Sequence, residues 1–191
     1  MAGGVGDELR HGVDLRLGQL ALERRQVTVE IRRARLEDAA AIAEVHVRTW
    51  QAAYEHVFGA ERLAGIDVGA REGLARHFAT DDEYDAFVAD EDGRIVGFVA
   101  SGPPEQAEEQ RELFAIYVLP EAWGSAAGPG LMHAALDAMR GRGAAGAILG
   151  VLDDNPRARR FYEREGWHAD GSAESEYLGL SVPLVRYRVV F

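Results

Sequence analysis

Apolar residues along this chain switch repeatedly between two spacings, and the switches mark out its elements. "VTVEIRRA", from Val27, begins like a first strand. From Glu37 to about Val57 the period lengthens, and Ile42, His46, Thr49, Trp50, Ala53 and Val57 fall on one face at helical spacing. Glu37 and Asp38 place negative charge on the first turn of that helix, where its dipole favours it. A second helix is predicted over Ala60 to Phe78, interrupted around Gly65 to Gly69. "YDAFVADEDGRIVGFVAS" reads as two strands joined at Asp92-Gly93, a pair suited to a hairpin turn. After the polar loop "PPEQAEEQ", the run "ELFAIYVL" predicts a central strand buried on both faces. Leu131, Ala135, Leu136 and Met139 mark one face of a helix ending near Gly141 or Gly143, and "AAGAILGVL" reads as another buried strand. Asn155 as cap, Pro156 at the first position and Gly166 as stop punctuate the next helix, with Ala158, Phe161, Tyr162 and Glu165 on one face. "GWHADG" and "VRYRVVF" supply two final strands.

The length of 191 residues suits one domain with a substantial core plus an appendage. Residues 1–26 lack a clear period, so residues 1–28 are assigned to an N-terminal extension and 29–191 to the domain. No apolar run approaches the roughly 20 residues that span a bilayer, and the first 26 residues hold no continuous apolar block of a secretory signal. Cytoplasmic residence is the expectation. With no cysteine, disulfides, thiolate metal sites and cysteine nucleophiles are excluded. All 21 basic residues are arginine, which excludes a lysine Schiff base. The six histidines show no metal-ligand spacing, so no metal is expected. A net charge of -11 argues against nucleic-acid or anionic-membrane partners. It mildly favours a cationic small molecule or basic peptide, and it equally serves solubility.

Two stretches carry chemistry. "YVLPEAWGSAAGPGLM" runs from a strand through a small-residue turn into a helix, which aims backbone amides and a positive helix end at one spot and so suits an anion. Gly124, Gly128 and Gly130 would let a ligand approach the backbone closely. Such turns also serve as packing devices, and both readings stand on this stretch alone. One strand downstream lies "DDNPRARRFYEREGW". At this separation, and in this element order, the two stretches resemble the GNAT superfamily of N-acetyltransferases; "HVRTWQAAYEHVF" is similar to a bacterial subgroup of them. The resemblance covers about Val29 to the C-terminus. It implies an α+β, three-layer GNAT fold: a central mixed, mostly antiparallel sheet of six to seven strands flanked by about four helices. It also implies acetyl-CoA as cosubstrate and a primary amine of a small molecule or peptide as acceptor; homodimers are common in the family.

The family's phosphate loop, Q/R-x-x-G-x-G/A, falls on Trp123, Gly124, Ser125, Ala126, Ala127 and Gly128. Ala126 stands where a glycine is required, with a methyl that penalises positive φ and crowds a phosphate. Pro129 removes one donor and any basic side chain there, although proline is tolerated in a first helical turn. The expectation is a working cradle, from Gly124 to Gly130, weakened by about one charged hydrogen bond, or roughly ten- to hundredfold in affinity. By the same resemblance, main-chain groups of Ile116, Tyr117 and Val118 pair with the pantetheine arm. Asn155 matches the asparagine before the last helix, and is equally a plain N-cap. Tyr162 matches the general acid that protonates the departing thiolate, and Glu112 a glutamate that deprotonates the amine. Trp50 and Tyr54 would wall the acceptor site, beside the loop "GSAESEYLGLSVPL", where Glu174 and Glu176 could meet a basic acceptor. The departures at Ala126 and Pro129 motivate the rival reading, a catalytically weak or inactive acyl-CoA-binding or regulatory module.

Overall fold

The computed structural model describes residues 28–104 and 110–191, so all but the last residue of the extension at 1–28 and most of the "PPEQAEEQ" loop lie outside the described residues. Seven strands, β1 (Val29–Arg33), β2 (Asp85–Glu91), β3 (Arg94–Gly102), β4 (Gln110–Val118), β5 (Gly146–Leu152), β6 (His168–Tyr177) and β7 (Leu180–Val190), form one sheet in the order β1-β2-β3-β4-β5-β7-β6. All neighbours run antiparallel except β4 and β5. The helices are α1 (Ala39–Phe58), α2 (Ala60–Ala64), α3 (Val68–Thr80), α4 (Ala127–Gly141) and α5 (Pro156–Arg164).

Adjacent residues of β3 show the layering. The Phe98 ring lies 6.2 Å from His46 of α1, whereas a Cβ on Gly97 would meet Leu131 Cδ1 of α4 at 3.1 Å. Successive strand residues point to opposite faces, so α1 and α4 sandwich the sheet in the expected three layers. One core joins α1 and α4 to the sheet through residues such as Val45, Val96, Val99, Leu131 and Met139. A second joins Trp50, Tyr54 and Phe58 of α1 to Leu63, Ile66, Leu152, Val182 and Leu184. Burial of such side chains stabilises by about 1.5–3 kcal/mol each.

Local punctuation works where the sequence places it. Asp92 and Gly93 adopt φ of 52° and 88° between β2 and β3, as a two-residue hairpin turn requires. The predicted second helix breaks into α2 and α3, and Asp67 caps the second piece by accepting from the Ala70 amide at 3.0 Å. That break raises the α-helix count to five among the described residues.

Two expectations are corrected. Strand β4 is central, yet along it only Leu113 is buried, and Phe114 is exposed. The stretch "GSAESEY", read as a loop, continues β6 to Tyr177 and turns at Leu178-Gly179 (φ 51° and 73°) into β7. The two-stranded ribbon leaves both faces of β6 largely in solvent, so it carries no apolar alternation.

Candidate active site

Strands β4 and β5 pair over only three positions, from Gln110 with Gly146 to Glu112 with Ile148. Beyond them β5 stays with β7 along its whole length. Strand β4 departs because it carries a bulge: Ala100 pairs with Ala115 and Ser101 with Leu113, leaving Phe114 as an extra residue. A bulge bends its strand and increases its twist. The diverging strands open a cavity of about 370 Å³, bounded by the Trp123–Pro129 turn, α5 and the second half of α1. Residues Leu113 to Val118 of β4, including Ile116 and Tyr117, line it, and none of them has a β5 partner. At its end the Val118 carbonyl accepts from both Trp123 Nε1 (2.7 Å) and Thr49 Oγ1 (3.2 Å), which uses both its lone pairs.

The turn differs from its sequence reading in an instructive way. Gly124 has φ 83° and is the position that needs glycine. Ala126 has φ -71° in the right-handed region, so the methyl carries no backbone penalty there. Gly128 faces α5, where an added Cβ would come within 3.5 Å of Phe161 Cε2. Gly130 turns away from the groove: an added Cβ would meet Ile31 Cγ1 of β1 at 2.9 Å, and its amide donates to the Ala126 carbonyl at 3.0 Å. Ala127 is fully buried and its amide donates to Ser125 Oγ at 3.2 Å. Gly124, Ser125 and Gly128 therefore line the groove, Ala126 is exposed beside it, and Ala127 and Gly130 serve packing. Pro129 is the third residue of α4, where an amide has no intrahelical acceptor. The proline costs the helix nothing and removes one outward-pointing donor.

On the opposite wall, Asn155 Oδ1 accepts from the Ala158 amide at 3.0 Å and caps α5. Its Nδ2 donates to the Tyr54 hydroxyl at 3.0 Å, tying α5 to α1 across the groove. Tyr162 is buried and lines the same groove. Burial, reinforced by nearby Tyr54, pushes its hydroxyl above the ordinary tyrosine range, so it stays protonated. Trp50 and Tyr54 are both core residues and groove residues, with rings 5.1 Å apart. His46 packs behind them, 4.9 Å from the Tyr117 ring. Burial, then the charge of Arg71, pulls its pKa down to about 3, so the imidazole is neutral at physiological pH.

The charges around the groove depart from expectation. Among the described residues no aspartate or glutamate lines it; its charged residues are Arg157 and Arg164. Glu112 stands at the last β4–β5 pair, at the apex where the strands part and outside the lining. Glu174 and Glu176 are exposed on β6, and Tyr177 of that strand faces the groove instead, 5.5 Å from the Trp50 ring. Sequence reasoning passed over Arg157, Arg164 and Tyr177. The seven-residue spacing of the two arginines on one helix was the available signal for that pair; Tyr177 was hidden inside the stretch read as a loop.

Comparison with known proteins gives a consistent result. The profile described as "Acetyltransferase (GNAT) family" matches residues 39–167. An uncharacterised N-acetyltransferase of Mycobacterium tuberculosis, Rv2669, is 31% identical over 138 residues, covering 72% of this chain and 87% of that protein. YuaI of Bacillus subtilis, also an uncharacterised N-acetyltransferase, is 31% identical over 131 residues, 67% of this chain and 74% of its own. Among solved structures, the PaiA N-acetyltransferase of Thermoplasma acidophilum in complex with coenzyme A superposes with a TM-score of 0.70 at 18% identity, covering 86% of this chain and 99% of that one. The putative acetyltransferase YncA of Salmonella typhimurium with acetyl-CoA gives 0.68 at 20% identity, covering 85% and 94%. With the parted strands, the glycine turn and the capped α5 all within the matched span, the chain belongs to the GNAT acetyltransferase family.

Proposed function

We propose that this protein transfers the acetyl group of acetyl-CoA to a primary amine of a small molecule or peptide. The observation that carries the reading is the parting of β4 from β5 beside a glycine turn at a helix N-terminus, with a protonated tyrosine lining the gap. The free β4 edge suits an extended arm that pairs with main chain. The turn at the start of α4 suits a pyrophosphate, through the amides around Gly124 and Gly128. Solved relatives of the same fold, whose names record coenzyme A and acetyl-CoA as bound, support this occupant.

In this reading Trp50, Tyr54 and Tyr177 wall the acceptor. The amine nitrogen attacks the thioester carbonyl carbon, a C–N bond forms and the C–S bond breaks. The proton lost from nitrogen passes through water to Glu112, since no carboxylate lines the groove among the described residues. Tyr162 gives its proton to the departing thiolate sulfur. Pro129 and the lack of a groove carboxylate among the described residues favour the second reading, an acyl-CoA-binding module without turnover.

Calorimetric titration of acetyl-CoA and of acetyl-pantetheine, followed by thiol release over a panel of amines, separates these readings. The enzyme reading expects acetyl-CoA to bind more tightly than acetyl-pantetheine, and Tyr162→Phe to lower turnover at least about tenfold at similar affinity. Binding without turnover on any amine supports the module. No binding at millimolar acetyl-CoA sinks both.

A further inference from the structure

We infer that Arg157 and Arg164 of α5 form the phosphate-recognition stripe for the nucleotide end of acyl-CoA, with Arg157 serving the pyrophosphate and Arg164 the 3′-phosphate. The inference rests on the reading that acyl-CoA occupies the groove.

The turn from Trp123 to Gly130 contains no basic residue, and Pro129 removes a donor as well. A multiply charged anion there needs a cation from elsewhere. Helix α5 is the facing wall, and it supplies both charged residues of the groove, Arg157 and Arg164. Spacings of three and seven residues put Arg157, Arg160 and Arg164 on one side of a helix. Arg157 and Arg164 lie about 10 Å apart along the axis, at 1.5 Å per residue. That is a span suited to two phosphate groups on either side of one ribose.

The stripe is also held open for a ligand. The protein carries 32 acidic against 21 basic residues, and most other arginines among the described residues find acids, as Arg32 does with Asp38, Arg94 with Glu121 and Arg142 with Asp85; Arg62, Arg71 and Arg186 are the exceptions. On α5 itself Arg159, off the stripe, pairs with Asp153 at 2.6 Å. The acids of α5 and its C-cap are used on other sides, Glu163 by the Tyr187 hydroxyl at 2.8 Å and Glu165 by His133 at 3.3 Å. No carboxylate pairs with Arg157, Arg160 or Arg164 among the described residues. Arg157 is stationed at the mouth of the turn: its guanidinium carbon lies 3.0 Å from the Trp123 ring centroid, and Trp123 is pinned by its bond to the Val118 carbonyl. A guanidinium there meets phosphate oxygens through a fork of donors.

The test is calorimetric titration of CoA and 3′-dephospho-CoA into the full chain and three variants. Arg62→Ala, at an exposed position of α2, controls for the loss of one positive charge. We expect the wild type and Arg62→Ala to bind CoA about ten- to hundredfold more tightly than 3′-dephospho-CoA. Arg164→Ala should lose that preference while keeping its affinity for 3′-dephospho-CoA. Arg157→Ala should weaken both ligands by a similar factor. Equal binding of both ligands by the wild type, or an undiminished preference in Arg164→Ala, overturns the inference and leaves the acetyl-CoA reading intact. Binding of neither ligand by the wild type overturns both.

Discussion

Replacing Asn155 tests whether this residue serves the fold before it serves any ligand. Asn155→Ala removes two bonds at once. The cap to the Ala158 amide, at 3.0 Å, is worth about 1 kcal/mol, with a usual range of roughly 0.5–2. The bond from Nδ2 leaves behind the Tyr54 hydroxyl, on a residue only 5% exposed, and an abandoned buried polar group costs about 1–3 kcal/mol. Together the loss should be about 2–4 kcal/mol, which for a domain of this size lowers Tm by roughly 4–16 °C. Asn155→Asp is the informative companion. Its carboxylate still caps α5, places negative charge at a helix N-terminus, and accepts from the Tyr54 hydroxyl once that O–H turns round. It should stay within about 1 kcal/mol of wild type at neutral pH. Urea unfolding of the ligand-free protein reads both values. If Asn155→Ala unfolds within about 0.5 kcal/mol of wild type, or if Asn155→Asp is as unstable as Asn155→Ala, the bonds described above do not carry the stability assigned to them.

Asp85 is 1% exposed as a side chain and meets Arg33 at 2.9 Å and Arg142 at 2.5 Å. Burial pushes its carboxyl up, but the two guanidiniums outweigh that and hold it below the ordinary value of 3.8. Its contribution is therefore complete above the unfolded value and lost as pH falls through the folded one. Because the guanidiniums left behind are 64% and 33% exposed, Asp85→Asn should cost about 1.5–3 kcal/mol at neutral pH, and its stability should fall less steeply than wild type between roughly pH 5 and 2; parallel curves in chemical denaturation would refute this. Ala126→Gly tests the turn. With φ already at -71° there is no strain for glycine to relieve, so CoA affinity should stay within about threefold of wild type, and a tenfold tightening by calorimetry would show that the methyl does crowd a phosphate.

What the sequence disclosed, and what it hid, divides by the range of the interaction. Asn155, Pro156 and Gly166 act on the helix they bracket, and Asp92-Gly93 acts on its own turn, so each is read correctly from a few neighbours. The glycine turn was legible as a turn, but the slot needing positive φ was misplaced. The 3-10 turn at Pro120–Ala122 leads the chain so that Gly124, not residue 126, takes the left-handed conformation. The open edge of β4 was implied by the resemblance alone, at Ile116 to Val118; the residues themselves hid it, because "ELFAIYVL" looks like any fully paired strand. Its partner abandons it after Ile148 only because a bulge at Phe114 bends it away. Tyr177 was hidden in a solvent-exposed ribbon with no apolar period. The groove is thus a failure of pairing between two strands that are each well formed, and the residues that close around it come from α1, α5 and β6, far apart in the chain. Conservative local signals can identify the family's turn and cap. The charge that completes the site is set by which wall faces the turn, and that is why Arg157 and Arg164 emerge only once the strands are seen to part.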